Sequence, residues 1–195
     1  MRVFLAVPAD AGWVASAREL TRRLAASLPR ASWTRPESWH LTLKFLGEIP
    51  EEAAERFAEA IGPAAAESPG GVLSRGGALL LPDPRRPRVL GVGFSPGPAL
   101  ERLAAIAREA QAAGRRAGVP AEKRSFRPHV TLGRLREPWP AEAVEAFRRE
   151  ADGWAFPDWP VRSCILYESR LHPSGAEHRP LREWALAPGA PAVRA

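Results

Sequence analysis

The sequence predicts an α+β fold of two similar, pseudo-symmetric lobes. Three observations predict it. The strands come in adjacent pairs rather than in strict strand–helix alternation, which argues against a doubly wound parallel sheet. No glycine-rich phosphate turn joins a strand to a helix. The frame His-x-Thr-Leu occurs twice, in "WHLTLKFLGE" (Trp39–Glu48) and "PHVTLGRLRE" (Pro128–Glu137), the second histidine 89 residues after the first.

The elements follow in order. "RVFLAV" (Arg2–Val7) reads as a strand. A helix is expected from about Gly12 to Ser27, with Trp13, Val14, Leu20 and Leu24 near one face. "SWHLTLKFLG" alternates and stops at Gly47, as a strand does. Pro50 with Glu51 and Glu52 marks a helix start, and Gly62 suggests its end. Two strands are expected around the loop Pro82–Arg88, then a helix from about Pro98 to Ala113, ending near Gly114. "FRPHVTLGRL" is the next strand and "PAEAVEAFRRE" a shorter helix. "VRSCILYESRL" and "LREWALAP" close the chain as two strands joined by a polar loop, His172–Arg179. His172 and His178 are expected to be solvated there. One bilobal domain over 1–195 is expected, with a loose tail at about 188–195.

Hydrophobic residues make up 45%, enough for a real core. The 28 basic and 22 acidic residues leave a net charge of +6, which suits an anionic partner such as nucleic acid or a phosphorylated metabolite. Only Lys44 and Lys123 are lysines, and arginine enrichment also follows from base composition, so charge alone does not choose. Cys164 stands alone, so neither an intramolecular disulfide nor a cysteine-based zinc site is expected. "MRVFLAVPAD" is too quickly polar for a signal peptide, and no apolar run reaches the roughly 20 residues of a membrane span. A cytoplasmic protein with no membrane partner is expected.

Alternation on a strand places His40, Thr42 and Lys44 on one face, with Trp39, Leu41, Leu43 and Phe45 on the other. In the second copy His129 and Thr131 share a face opposite Val130 and Leu132. Each copy anchors through its apolar side and presents an imidazole beside a hydroxyl. Two such faces can meet across a groove if the lobes are related by a pseudo-twofold axis. Imidazole titrates near pH ~6.5, so one histidine can take a proton while the other gives one. The threonine hydroxyls can hold phosphoryl oxygens. Two histidines without Asp or Cys make a poor zinc site, so neither metal nor cofactor is expected. A single strand histidine is more often structural than catalytic. The repeat, using half of the four histidines, shifts the balance toward catalysis.

At these motifs the chain resembles the 2H phosphoesterase superfamily and, within it, the bacterial and archaeal RNA 2′,3′-cyclic phosphodiesterases, historically called 2′-5′ RNA ligases. "MRVFLAVP", "HLTLKFLGE", "PRVLGVGF" and "FRPHVTLGRL" carry the resemblance over nearly the whole chain. It implies antiparallel sheets around a central groove, with helices outside. It implies hydrolysis of RNA 2′,3′-cyclic phosphate ends to 2′-phosphate, without metal, and 2′-5′ ligation as a weak second reaction. His40 corresponds to the proton donor, His129 to the proton acceptor, and Thr42, Thr131 and Arg134 to phosphate-binding residues. Lys44, Arg127 and Phe45 are candidate RNA contacts, as is the loop "DPRRPR". The implied partner is an RNA with a 2′,3′-cyclic phosphate terminus, tRNA fragments among the candidates, acted on by a monomer. Two alternatives stay open: a non-catalytic nucleotide- or RNA-binding module, and a 2H phosphodiesterase acting on another cyclic phosphate or on RNA 3′ ends. The segment "AEHRPL" departs from the family, which often has a tyrosine there.

Overall fold

A computed structural model describes residues 1–122, 125–172 and 175–187. Chain order is β1 (Arg2–Pro8), α1 (Ala11–Ser27), β2 (Ser32–Trp33), a 3-10 turn (Pro36–Ser38), β3 (His40–Glu48), α2 (Glu51–Glu67), β4 (Gly71–Leu73), β5 (Arg75–Leu81) and β6 (Val89–Phe94). Then come α3 (Pro98–Arg116), β7 (His129–Arg134), α4 (Ala141–Gly153), β8 (Trp159–Val161), β9 (Ser163–His172) and β10 (Gly175–Ala185). Two four-stranded antiparallel sheets form, in the orders β10-β9-β1-β3 and β2-β7-β6-β5. The paired β1 and β3 of one sheet correspond to β6 and β7 of the other. The sheets meet where β3 approaches β7, so the two motif strands lie side by side across the lobes.

One core joins both lobes. Leu41 and Leu43 from β3 and Val130 and Leu132 from β7 are buried in it, as the alternation predicts. Helix α1 buries Trp13, Ala17, Leu20 and Leu24, and Asp10 caps it by accepting from the Gly12 amide at 2.9 Å. Helix α4 packs on β5, and α3 packs on both α2 and β3. Among the described residues no helix is long and apolar enough to cross a membrane.

Several boundaries differ from expectation. Helix α2 runs through Pro63 to Glu67 instead of ending at Gly62. Ile61 and Ala65 keep its buried face continuous past the proline. Gly62 stands close to Trp184, where a Cβ would lie 3.3 Å from Nε1 and the indole would have to give by a few tenths of an ångström. Helix α3 likewise passes Gly114, where a Cβ would lie 2.8 Å from Cε of Lys44. The turn out of α3 falls instead at Gly118, with φ +80°.

The expected loop His172–Arg179 is mostly strand. β9 and β10 form a long hairpin in which His178 pairs with Ser169, so His178 belongs to the sheet and is half-buried. Residues 173–174 of that loop, and the expected tail at 188–195, lie outside the described residues.

Candidate active site

Both motif strands carry the same irregularity. The ladder between β1 and β3 shifts between Leu5 and Ala6, so that Ala6 faces Thr42 while Leu5 faces Lys44. The ladder between β6 and β7 shifts between Leu90 and Gly91, so that Gly91 faces Thr131 while Leu90 faces Gly133. In each case one extra residue follows the threonine: Leu43 in β3 and Leu132 in β7. Such a bulge resets which face the following side chains occupy.

The reset corrects the simple alternation. Lys44 turns inward, only 1% exposed, and its ammonium donates to Oε1 of Gln111 at 2.8 Å. Burial holds its pKa below the usual lysine range. It does not share the face of His40 and Thr42 and does not line the groove. Phe45, expected on the core face, turns onto the groove face and is 46% exposed. Arg134 holds the corresponding position in β7 and also lines the groove. Gly133 corresponds to Lys44, and a Cβ there would lie 2.9 Å from the Trp33 ring.

His40, Thr42, His129, Thr131, Arg134 and Phe45 therefore line a single groove of about 480 Å³. Sequence reasoning did not find the rest of its wall. Arg2 and Phe4 come from β1, Ser32–Arg35 from β2 and the chain after it, and His178 from β10. Among the described residues the groove is lined by three arginines, Arg2, Arg35 and Arg134, and by no carboxylate. That charge balance fits a phosphate. The Arg127 side chain is exposed and does not line the groove; its carbonyl acts instead. Among the described residues no group of three His, Cys, Asp or Glu side chains could hold a metal ion.

The two histidines are held identically. Nδ1 of His40 lies 2.7 Å from the Ser38 carbonyl, and Nδ1 of His129 lies 2.7 Å from the Arg127 carbonyl. A carbonyl only accepts, so each Nδ1 carries a hydrogen and donates it. Nε2 of each ring is then the atom that exchanges protons. Burial pushes the pKa of His40 down to about 4, with the His178 charge adding to the effect and the Ser38 carbonyl opposing it. Burial also lowers the pKa of His129, against the Arg127 carbonyl. Both shifts favour the neutral form of the rings.

His178 closes the groove beside His40. Its ring meets the edge of Phe4 at 4.9 Å between centroids, and burial lowers its pKa. His40 and His178 also border a second cavity of about 470 Å³.

The LigT like Phosphoesterase family model matches residues 11–91 and 94–177, which span both motifs. An RNA 2′,3′-cyclic phosphodiesterase of Archaeoglobus fulgidus is 31% identical over 187 residues, covering 93% of this chain and 98% of that protein. One from Thermus thermophilus is 31% identical over 167 residues, covering 77% of this chain and 73% of that protein. Among solved structures, TT0787 of Thermus thermophilus aligns with a TM-score of 0.77 at 24% identity, over 96% of this chain and 99% of that one. E. coli LigT in apo form aligns at 0.70 and 24% identity, over 95% and 97%. These two likenesses establish the fold, and the family match spans both of its lobes. The chain therefore belongs to the LigT-like family of 2H phosphoesterases.

Proposed function

We propose that the protein is an RNA 2′,3′-cyclic phosphodiesterase that opens the terminal cyclic phosphate to a 2′-phosphate. One observation carries the chemistry. Two imidazoles, each locked by an Nδ1–H donated to the carbonyl two residues earlier, face one groove beside two threonines and Arg134, with no carboxylate among its described lining residues. The name borne by the Archaeoglobus and Thermus relatives supports the substrate.

Ring opening needs water in line with the departing ribose oxygen. One imidazole on each side of the phosphorus supplies a base beside the water and an acid beside the leaving group. In our reading, His129 Nε2 takes the proton from water as the water oxygen bonds to phosphorus. The bond to O3′ breaks, and His40 gives O3′ its proton. Thr42, Thr131 and Arg134 hold the non-bridging oxygens as charge builds on them.

With a pKa near 4 His40 is mostly neutral at pH 7, and it must be protonated to act as the acid. The anionic substrate supplies the reason: a negative phosphate beside the ring favours its charged form. Arg134 then shares the anion with His40 instead of opposing it. With a 5′-hydroxyl RNA end in place of water, the same arrangement bonds that oxygen to phosphorus as O3′ leaves, and so joins the two ends through a 2′-5′ linkage.

Product analysis on an RNA ending in a 2′,3′-cyclic phosphate tests the proposal. We expect a terminal monophosphate that resists a 3′-specific phosphatase. A 3′-phosphate product would reverse the placement of acid and base. Recovery of unreacted cyclic phosphate would leave only a binding module.

A further inference from the structure

Four exposed arginines lie around the C-terminal end of β7. Arg136 follows that strand, and Arg85, Arg86 and Arg88 belong to the connection between β5 and β6; all four are exposed. Among the described residues none of the four is in an ion pair. Elsewhere Arg22, Arg23, Arg148, Arg162 and Arg170 each lie against a carboxylate, while others such as Arg18, Arg56 and Arg149 are exposed without an ion pair among the described residues; what sets these four apart is that they adjoin one another beside the groove. The acidic side chain inside the connection, Asp83, accepts from the Arg85 amide at 2.9 Å and so shapes the turn.

The connection is pinned on both sides. The Arg88 amide donates to the Leu81 carbonyl at 2.6 Å and the Arg86 amide to the Asp83 carbonyl at 3.1 Å. The Arg88 guanidinium donates to the Arg136 carbonyl at 2.6 Å, and the Leu135 amide donates to the Arg88 carbonyl at 3.0 Å. Pro87 is buried beneath. The cluster also begins where the groove ends, because Arg134 lines the groove and pairs in the ladder with Val89, next to Arg88.

We propose that this arginine ridge binds the RNA backbone upstream of the terminal nucleotide, with the groove taking the cyclic phosphate and the ridge the phosphates 5′ of it. The inference rests on the cyclic phosphodiesterase reading. A 2′,3′-cyclic phosphate occupies both lower ribose oxygens, so the chain leaves that nucleotide only through O5′. Its next charges are phosphodiesters, which guanidinium groups match with forked donors. Contacts to phosphate carry no base information, so binding is sequence-tolerant. A pinned connection loses little freedom when it binds. The substrate is thus an oligonucleotide end in preference to a free cyclic mononucleotide.

The triple variant R85Q/R86Q/R136Q tests this, since none of these three side chains makes a hydrogen bond among the described residues. Its kcat/KM is measured on a nucleoside 2′,3′-cyclic phosphate and on a short single-stranded RNA with the same end, across a range of salt. We expect the mononucleotide value to stay within about twofold of wild type. For the RNA we expect a loss of roughly tenfold or more at low salt, with a log–log salt slope shallower by about 2, from three charges at ~0.7 each. Equal loss on both substrates, or no loss on either, overturns the ridge. If the wild-type protein hydrolyses neither substrate, the activity reading fails by itself. The salt slope of RNA binding by filter retention then decides the ridge on the same criterion.

Discussion

The rings of His40 and His178 meet edge to face, with centroids 5.2 Å apart and an interplanar angle of 85°. One sits on the first motif strand and the other on the closing hairpin, 138 residues later. A third imidazole thus stands against the proposed acid, and its charge adds to the burial that holds His40 near 4.

His178→Phe should keep the packing against Phe4 and remove the charge. The pKa of His40 should then rise from about 4 toward 6.5, with burial still holding it below that value. Ring-proton NMR titration reads this directly. The limb of the pH–rate profile belonging to His40 should move to higher pH as well. An unmoved His40 titration would reduce His178 to a packing residue.

His40→Ala and His129→Ala should each cost roughly 10²–10⁴-fold in kcat, because each removes one partner in proton transfer. Thr42→Ala and Thr131→Ala should cost about 1.5–3 kcal/mol of transition-state stabilisation, the worth of a hydrogen bond to a charged oxygen. The measurement is steady-state hydrolysis of a cyclic mononucleotide, with circular dichroism confirming the fold. A histidine variant that retained near-wild-type turnover would contradict the two-histidine mechanism.

Acid should destabilise the free protein through these same rings. His40 has a folded pKa of about 4 against 6.5 unfolded, so the unfolded chain binds the proton first. The stability it contributes is complete above about pH 6.5 and is lost as pH falls to about 4, a total of roughly 3 kcal/mol. His129 and His178 shift in the same direction and add to the loss. Urea midpoints at neutral and acidic pH should show this drop, and His40→Gln should reduce it. An identical drop in His40→Gln would place the acid sensitivity elsewhere.

Lys44→Met should leave hydrolysis within about twofold of wild type, because the ammonium faces Gln111 and not the groove. Replacing a buried charge by an apolar chain of similar length is often neutral or stabilising. A tenfold fall in kcat/KM would mean that Lys44 reaches the phosphate after all.

Much of this was legible in the chain. The motif strands, the helix starts near Gly12 and at Pro50, and the pairing of strands follow from local patterns. What was not legible depends on partners distant in sequence. The bulge after each threonine appears only against the ladder of β1 or β6, so simple alternation gives Lys44 and Phe45 each other's faces. Gly62 and Gly114 look like helix stops but stand close against Trp184 and Lys44. Pro173 and Gly175, just before His178, are loop signals that hide its place on a strand. A weak signal was there: Ala176 and His178 alternate with exposed Glu177 and Arg179, as on one face of a strand.

The matched bulges have a consequence for how a substrate enters. A groove with two identical halves would accept a cyclic phosphate in two opposed orientations of equal energy. Half of all encounters would then present O2′ where O3′ must leave. His40 and His129, Thr42 and Thr131, and even the two carbonyls are duplicated, so none of them breaks this degeneracy. The first groove-facing position past each bulge does, because one half offers the apolar ring of Phe45 and the other the cation of Arg134. Each ~1.4 kcal/mol by which that difference favours one orientation multiplies its population tenfold. Exchanging the two residues, as F45R/R134F, would reverse that preference while leaving both acid–base partners in place.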